Sequence, residues 1–299
     1  MNRPVEWPTL LLLAATYAVW AAGTMMWGLS PILAVLVTGV AIAQHSSLQH
    51  EALHGHPTRN AALNEALVFP ALSLFIPYRR FRDLHLQHHY DPNLTDPFDD
   101  PESNYHCPKE WAALHPVVQA IWRANNSLAG RMVLGPLIGT IRFLWPDMAT
   151  MLRGDRIVTA AWIAHIGGLV VVLYWLAHMG AMPIWAYLLA VWIGFGLLKV
   201  RTFLEHRAHD APRARTVVIE DRGPLALLFL NNNFHSVHHM HPHAAWYDLP
   251  GLYTARKAQY LARNEGYMYQ NYAQIFRQYF LHAKDPVPHP SLPLRKTDD

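Results

Sequence analysis

Four long apolar runs, none containing an acidic residue, constrain this chain more than any other feature. They cover residues 9–29, 31–47, 157–179 and 183–204. Each is near the roughly 20 residues that a helix needs to cross a bilayer. The first two are joined only by Gly28-Leu29-Ser30-Pro31, the last two only by Gly180-Ala181-Met182, so the pattern predicts two helical hairpins. The first run is too long for the apolar part of a cleavable signal and reads as a span. Two further apolar stretches, 61–78 and 132–145, are interrupted by Glu65 and prolines or by Arg142, and read as interfacial or re-entrant segments. The expectation is an all-α membrane protein with about four transmembrane helices and one domain over residues 1–284. A proline-rich tail, 285–299, should be extended and mobile.

The basic residues orient this frame. Neither hairpin tip carries lysine or arginine, whereas the middle segment carries Arg59, Arg79, Arg80, Arg82, Lys109, Arg123, Arg131, Arg153 and Arg156. The positive-inside tendency puts both termini and the middle segment on the cytoplasmic side, at the inner membrane if the cell is bacterial. The net charge of +3 is small and scattered, which argues against a nucleic-acid partner. The single cysteine, Cys107, excludes an internal disulfide, a thiolate iron–sulfur site and a four-cysteine zinc site. Any metal is therefore held by nitrogen and oxygen.

The chain holds twenty histidines, and eight of them fall into three boxes: His50 and His54; His85, His88 and His89; His235, His238 and His239. In a helix, His85 and His89 stand one turn apart and His88 lies about 60° to one side, so all three rings leave one face within an arc of about 100°. One such cluster is equally an ordinary surface run. The second H-x-x-H-H and the i, i+4 pair before the first make the set specific. All three boxes fall on the side assigned to the cytoplasm, where a helical cap would let them converge. Imidazole suits iron, zinc, copper and nickel alike. Eight ligands are too many for one ion and about right for two. Two imidazole-bound metals beside a membrane suit dioxygen activation on a lipid-soluble substrate.

From about Gln49 to Pro250 the chain resembles the integral-membrane fatty acid desaturase and hydroxylase superfamily. The resemblance rests on His50-Glu51-Ala52-Leu53-His54-Gly55, His85-Leu86-Gln87-His88-His89 and His235-Ser236-Val237-His238-His239. Asn93-Leu94-Thr95-Asp96-Pro97, His241-Pro242 and Trp246-Tyr247-Asp248-Leu249-Pro250 add to it. The resemblance implies a di-iron centre at the cytosolic face that uses O2 to attack an unactivated C–H bond of a lipid chain. It also implies one further ligand between the second and third boxes. His206 fits that place, with His209 close behind, although Thr202 stands where some relatives carry asparagine. The preferred activity is acyl-lipid desaturation; hydroxylation and carotenoid ketolation use the same ligands.

Outside the boxes, Asp91, Asp96, His209 and His241 are the candidates for orienting ligand rings, with His56 and His243 behind them. His45 points some 140° from His50 around the helix and is no ligand. His165 and His178 read as polar lining, and His106, His115, His282 and His289 as surface residues. Arg79, Arg80 and Arg82 suit a headgroup or simply set topology. With no glycine-rich dinucleotide fingerprint and no haem motif, electrons must come from a separate ferredoxin, rubredoxin or cytochrome. A rival lies inside the first box: His50-Glu51-Ala52-Leu53-His54 also satisfies H-E-x-x-H, the zinc metalloprotease motif. That reading leaves both H-x-x-H-H clusters unexplained. A metal transporter would place ionisable residues within its spans as an ion pathway, whereas these runs are free of acids and the boxes sit at their ends or outside.

Overall fold

The computed structural model describes residues 5–292. The chain is mostly helical, and among the described residues four helices are long and apolar enough to cross a bilayer. They are α1 (Trp7–Met25, continued by a 3-10 turn), α2 (Pro31–Leu53), α8 (Arg156–His178) and α9 (Ile184–Thr202). The other helices are α3 (Ala61–Val68), α4 (Tyr78–Tyr90), α5 (Pro108–Ala113), α6 (Pro116–Asn125), α7 (Leu128–Leu152), α10 (Pro224–Leu228), α11 (His235–Met240), α12 (Leu249–Ala255), α13 (Lys257–Arg263) and α14 (Tyr272–Tyr279). The described residues divide into two compact units, residues 5–83 with 136–198, and residues 84–135 with 199–292.

In the first unit the spans begin where side chains satisfy free amides. Ser30 caps α2 by accepting from Leu33 N, with Pro31 as its first helical residue. Asp155 caps α8 by accepting from Ile157 N and Val158 N. Small residues then let the helices approach. A Cβ on Gly194 would lie 2.8 Å from the carbonyl oxygen of Gly39, so α2 and α9 touch backbone to backbone there. A Cβ on Gly168 of α8 would lie 2.6 Å from the carbonyl oxygen of Phe69. Two buried polar groups in the spans are paired, as a low-dielectric surrounding favours. Tyr187 O–H donates to Leu72 O at 2.7 Å, and Trp20 Nε1 donates to Tyr187 at 3.0 Å. Ile163, Val170 and Trp185 present apolar surface outward.

The spans differ from the sequence expectation mainly at α2, which continues to Leu53 rather than ending at Ser47. Hydropathy drops there but helical bonding does not. Ser47 Oγ donates back to Ala43 O, and Gln49 Nε2 donates to Val68 O at 3.1 Å. His50 therefore sits on the helix and His54 at its end. The 132–145 stretch lies within α7, one helix of 25 residues that carries both Pro136 and Pro146. The 61–78 stretch forms only the short α3 before the chain becomes irregular.

In the second unit short helices surround a two-stranded parallel sheet, β1 (Val218–Ile219) with β2 (Met268–Tyr269), in register Val218 to Met268. Val218, Phe234, Val237, Leu249, Tyr253 and Tyr260 form a core beneath α11. The described part of the tail is docked rather than loose. His106 N donates to Val287 O at 3.0 Å and His289 N donates to His106 O at 2.9 Å. His289 is buried, contrary to its reading as a surface residue. Residues 293–299 of the expected tail lie outside the described residues.

Candidate metal centre

Both H-x-x-H-H boxes are helical. His85, His88 and His89 leave α4, and His235, His238 and His239 leave α11. His206 follows α9 in a segment anchored by its backbone, with a bridge to Thr216. In the second unit the nitrogens of His88, His206, His235 and His239 all lie within 4.8 Å of one another. Nε2 of His206 is 3.0 Å from Nε2 of His88 and 2.9 Å from Nε2 of His235, and His239 Nε2 is 3.1 Å from His235 Nε2. Beside this quartet, His85, His89 and His238 form a second group, with His89 and His238 Nε2 3.1 Å apart. In the first unit His50 and His54 are both buried, with ring centroids 4.9 Å apart.

The opposite ring edges are held. His88 Nδ1 lies 2.7 Å from Asp100 Oδ1, and His85 Nδ1 lies 2.7 Å from Glu102 Oε1. His235 Nδ1 lies 3.2 Å from Asn232 Oδ1; the amide of Asn232 in turn donates to Glu205 Oε1 at 3.0 Å. Glu205 also forms an ion pair with Arg201, Oε1 to Nε 3.2 Å. A carboxylate or amide oxygen accepts, so each of these Nδ1 atoms carries the hydrogen, and in the neutral ring Nε2 keeps its lone pair.

That donor set fits a cation. When His88 and His235 are neutral, their lone pairs both face His206, whose Nε2 can carry only one proton and cannot satisfy both. Donors about 2.1 Å from one ion and a right angle apart stand about 3 Å from each other, which matches the spacing. Burial and the neighbouring rings hold His206, His235 and His239 well below the ordinary histidine range, so their rings are neutral at pH 7, as metal binding would require. Burial pushes His89 down to about 2. His88 goes the other way: burial opposes its charge, but Glu102, Asp100 and Glu205 overcome it and raise the ring to about 9. The carboxylates thus make a field that favours positive charge at the quartet.

The expected orienting residues are elsewhere. Asp91 Oδ1 accepts from Asn93 N at 2.7 Å, and Asp96 Oδ1 from Phe98 N at 2.8 Å, so both cap loop turns. Asp100 and Glu102 take the ring contacts instead, because the proline-rich loop returns its far end to α4. His209 Nδ1 accepts from Ala211 N and its Nε2 is 3.6 Å from Glu265, outside the quartet. His241 Nε2 pairs with Tyr260 at 3.0 Å. His45 meets the Tyr17 hydroxyl at 3.1 Å, and His56 meets Glu6 at 2.6 Å. His165 lies 2.8 Å from Leu74 O. Arg79 pairs with Glu65 and Arg80 with Asp147, so both are engaged within the protein. Sequence reasoning missed Asn232 and Glu205; the Asn231-Asn232-Asn233 run ahead of the third box was the available signal.

Comparison with known proteins agrees with this geometry. The family described as fatty acid desaturase matches residues 22–271. The chain is also 27% identical over 237 residues to a beta-carotene ketolase from Paracoccus sp. (strain N81106 / MBIC 01143), a likeness spanning 75% of this chain and 81% of the ketolase. The match includes all three boxes and reaches into the four apolar helices, and so the chain belongs to the fatty acid desaturase family, integral-membrane oxidoreductases of the desaturase and hydroxylase type.

Proposed function

We propose that this protein is a di-iron, O2-dependent acyl-lipid desaturase. The observation that carries the reading is the pair of imidazole clusters whose far edges are held by carboxylates, Asp100 buried and Glu102 partly exposed. His88, His206, His235 and His239 would hold one iron. His85, His89 and His238 would contribute to the other, and the family resemblance names His50 and His54 as further ligands. The two irons with O2 supply the oxidising power that an unactivated C–H bond requires. The chain itself does the rest. Asp100, Glu102 and Asn232 fix ring orientation, burial of the ligands keeps water out, and the apolar helices admit a lipid chain.

Desaturation removes one hydrogen from each of two adjacent carbons. The oxygen molecule is reduced to two waters, with two electrons and two protons supplied from outside. We assign the electrons to a separate ferredoxin, rubredoxin or cytochrome, because no cofactor motif of a reductase occurs in the sequence. The distribution of arginine and lysine supports a single membrane domain of two hairpins, with a helical cap, the boxes and both termini on the cytoplasmic side.

The family match over residues 22–271 favours acyl chains. The likeness to a beta-carotene ketolase favours a second reading, conversion of a ring methylene of a carotenoid to a ketone by two successive oxidations. Expression with added iron in a host that makes both lipid classes separates them. New double bonds in fatty acids, absent with His88→Ala, support the first reading. Keto-carotenoids with unchanged fatty acids replace it with the second. One zinc per chain that survives His88→Ala would overturn both.

A further inference from the structure

We infer that the C-terminal strap, residues 284–289, positions the His88–His206–His235–His239 quartet, with Lys284 and His289 as its positioning residues. The inference rests on the reading that this quartet holds a metal. The strap reaches the quartet by two separate arms. In the first, the mostly buried Lys284 Nζ donates to Phe203 O at 3.0 Å and to the carbonyl of His206 itself. Its neighbour Asp285 accepts from the Tyr105 hydroxyl at 2.6 Å, and that hydroxyl accepts from Ala208 N at 2.9 Å. The segment on either side of His206 is thus tied to the strap.

The second arm ends at His88. His289 Nε2 lies 3.2 Å from Thr95 Oγ1, and Thr95 N donates to Asp100 Oδ2 at 2.8 Å. The other oxygen of Asp100 holds His88 Nδ1 at 2.7 Å. Thr95 has a φ of 76°, which a β-branched residue adopts only when its surroundings impose it. The surroundings do so: besides the two contacts above, Ser103 Oγ donates to Thr95 O at 2.7 Å. The two arms meet where His88 and His206 face each other at 3.0 Å.

A buried ammonium on two carbonyls beside a ligand is more than a clasp for a chain end. Residues 203 to 206 are not helical; Val217 N donates to Glu205 O at 3.1 Å and Arg207 N to Arg215 O at 3.0 Å, and Lys284 adds the bond to the carbonyl of His206 itself. The bond from Lys284 N to Asn126 O at 3.2 Å and the His106 bridge secure the strap, while Lys284 and His289 transmit its position to ligands.

The test is Co2+ binding to the full-length protein in detergent, read by competition with a chelator and by visible absorption. Wild type should take up about two ions, and His206→Ala marks which one the quartet holds. Lys284→Met and, separately, His289→Ala should weaken that ion alone by about 10- to 100-fold, with the other ion unchanged; Lys284→Arg should recover part of the loss. Wild-type affinity at both ions in both variants would overturn the inference while leaving the metal reading intact. Equal weakening of both ions with a large fall in Tm would reduce the strap to a general stabiliser, which also overturns it. No uptake by wild type would sink the metal reading and the inference with it.

Discussion

Asp100 Oδ1 lies 2.7 Å from His88 Nδ1, and neither side chain reaches solvent. Asp100 is also tied by Thr95 N at 2.8 Å and Glu102 N at 2.9 Å, so the carboxylate is held by the loop before it holds the ring. Asp100→Ala should lower metal affinity of the quartet by about 10- to 100-fold, with Asp100→Asn losing less because it keeps an acceptor. Chelator competition on the purified protein measures this.

His206 and His209 were near-equivalent candidates, and only one has its ring among other imidazoles. His206→Ala should remove one metal per chain and abolish turnover. His209→Ala should keep both, since its ring pairs with Ala211 N and Glu265. Elemental analysis of the two variants decides the assignment; metal loss on His209→Ala alone would reverse it.

Arg80 and Asp147 form a bidentate pair at 2.8 and 2.7 Å, joined by Trp162 Nε1 at 2.9 Å from the same carboxylate. Asp147 is 2% exposed, so removing its partner strands a buried charge. Arg80→Ala should cost about 3–5 kcal/mol of stability. The double variant Arg80→Met/Asp147→Leu should recover most of it. Thermal unfolding in detergent gives both values.

Glu220 carries a pH-dependent term. Burial alone would raise its carboxyl, but hydrogen bonds from Lys257 Nζ and the Tyr253 hydroxyl hold it below the usual range. A depressed folded value means the contribution is present in full above the unfolded pKa and is lost as pH falls through the folded one. The stability gap between wild type and Glu220→Gln should therefore be widest near neutrality and shrink on acidification. A gap that grows toward low pH contradicts this.

The features legible without tertiary information are those written in short-range periodicity. Apolar runs of span length forecast α1, α2, α8 and α9 because bilayer thickness sets helix length directly. H-x-x-H-H put three rings on one face of α4 and of α11 because helical geometry needs only neighbours within a turn. Hydropathy did not reveal that α2 runs on to Leu53, since backbone bonding continues through Ser47 and Gln49 without apolar side chains.

What only the tertiary structure decided depends on chain return. Proximity along the chain pointed to Asp91 and Asp96 as partners of the second box, but loop turns consume both. Asp100 and Glu102, farther along, reach the rings because the loop folds back. His206 joins His88 across 118 residues, and His289 reaches Thr95 across 194. No local pattern encodes such pairings. The candidate ligands were readable because a helix repeats every few residues, whereas the groups that hold their rings meet them only once distant segments have packed.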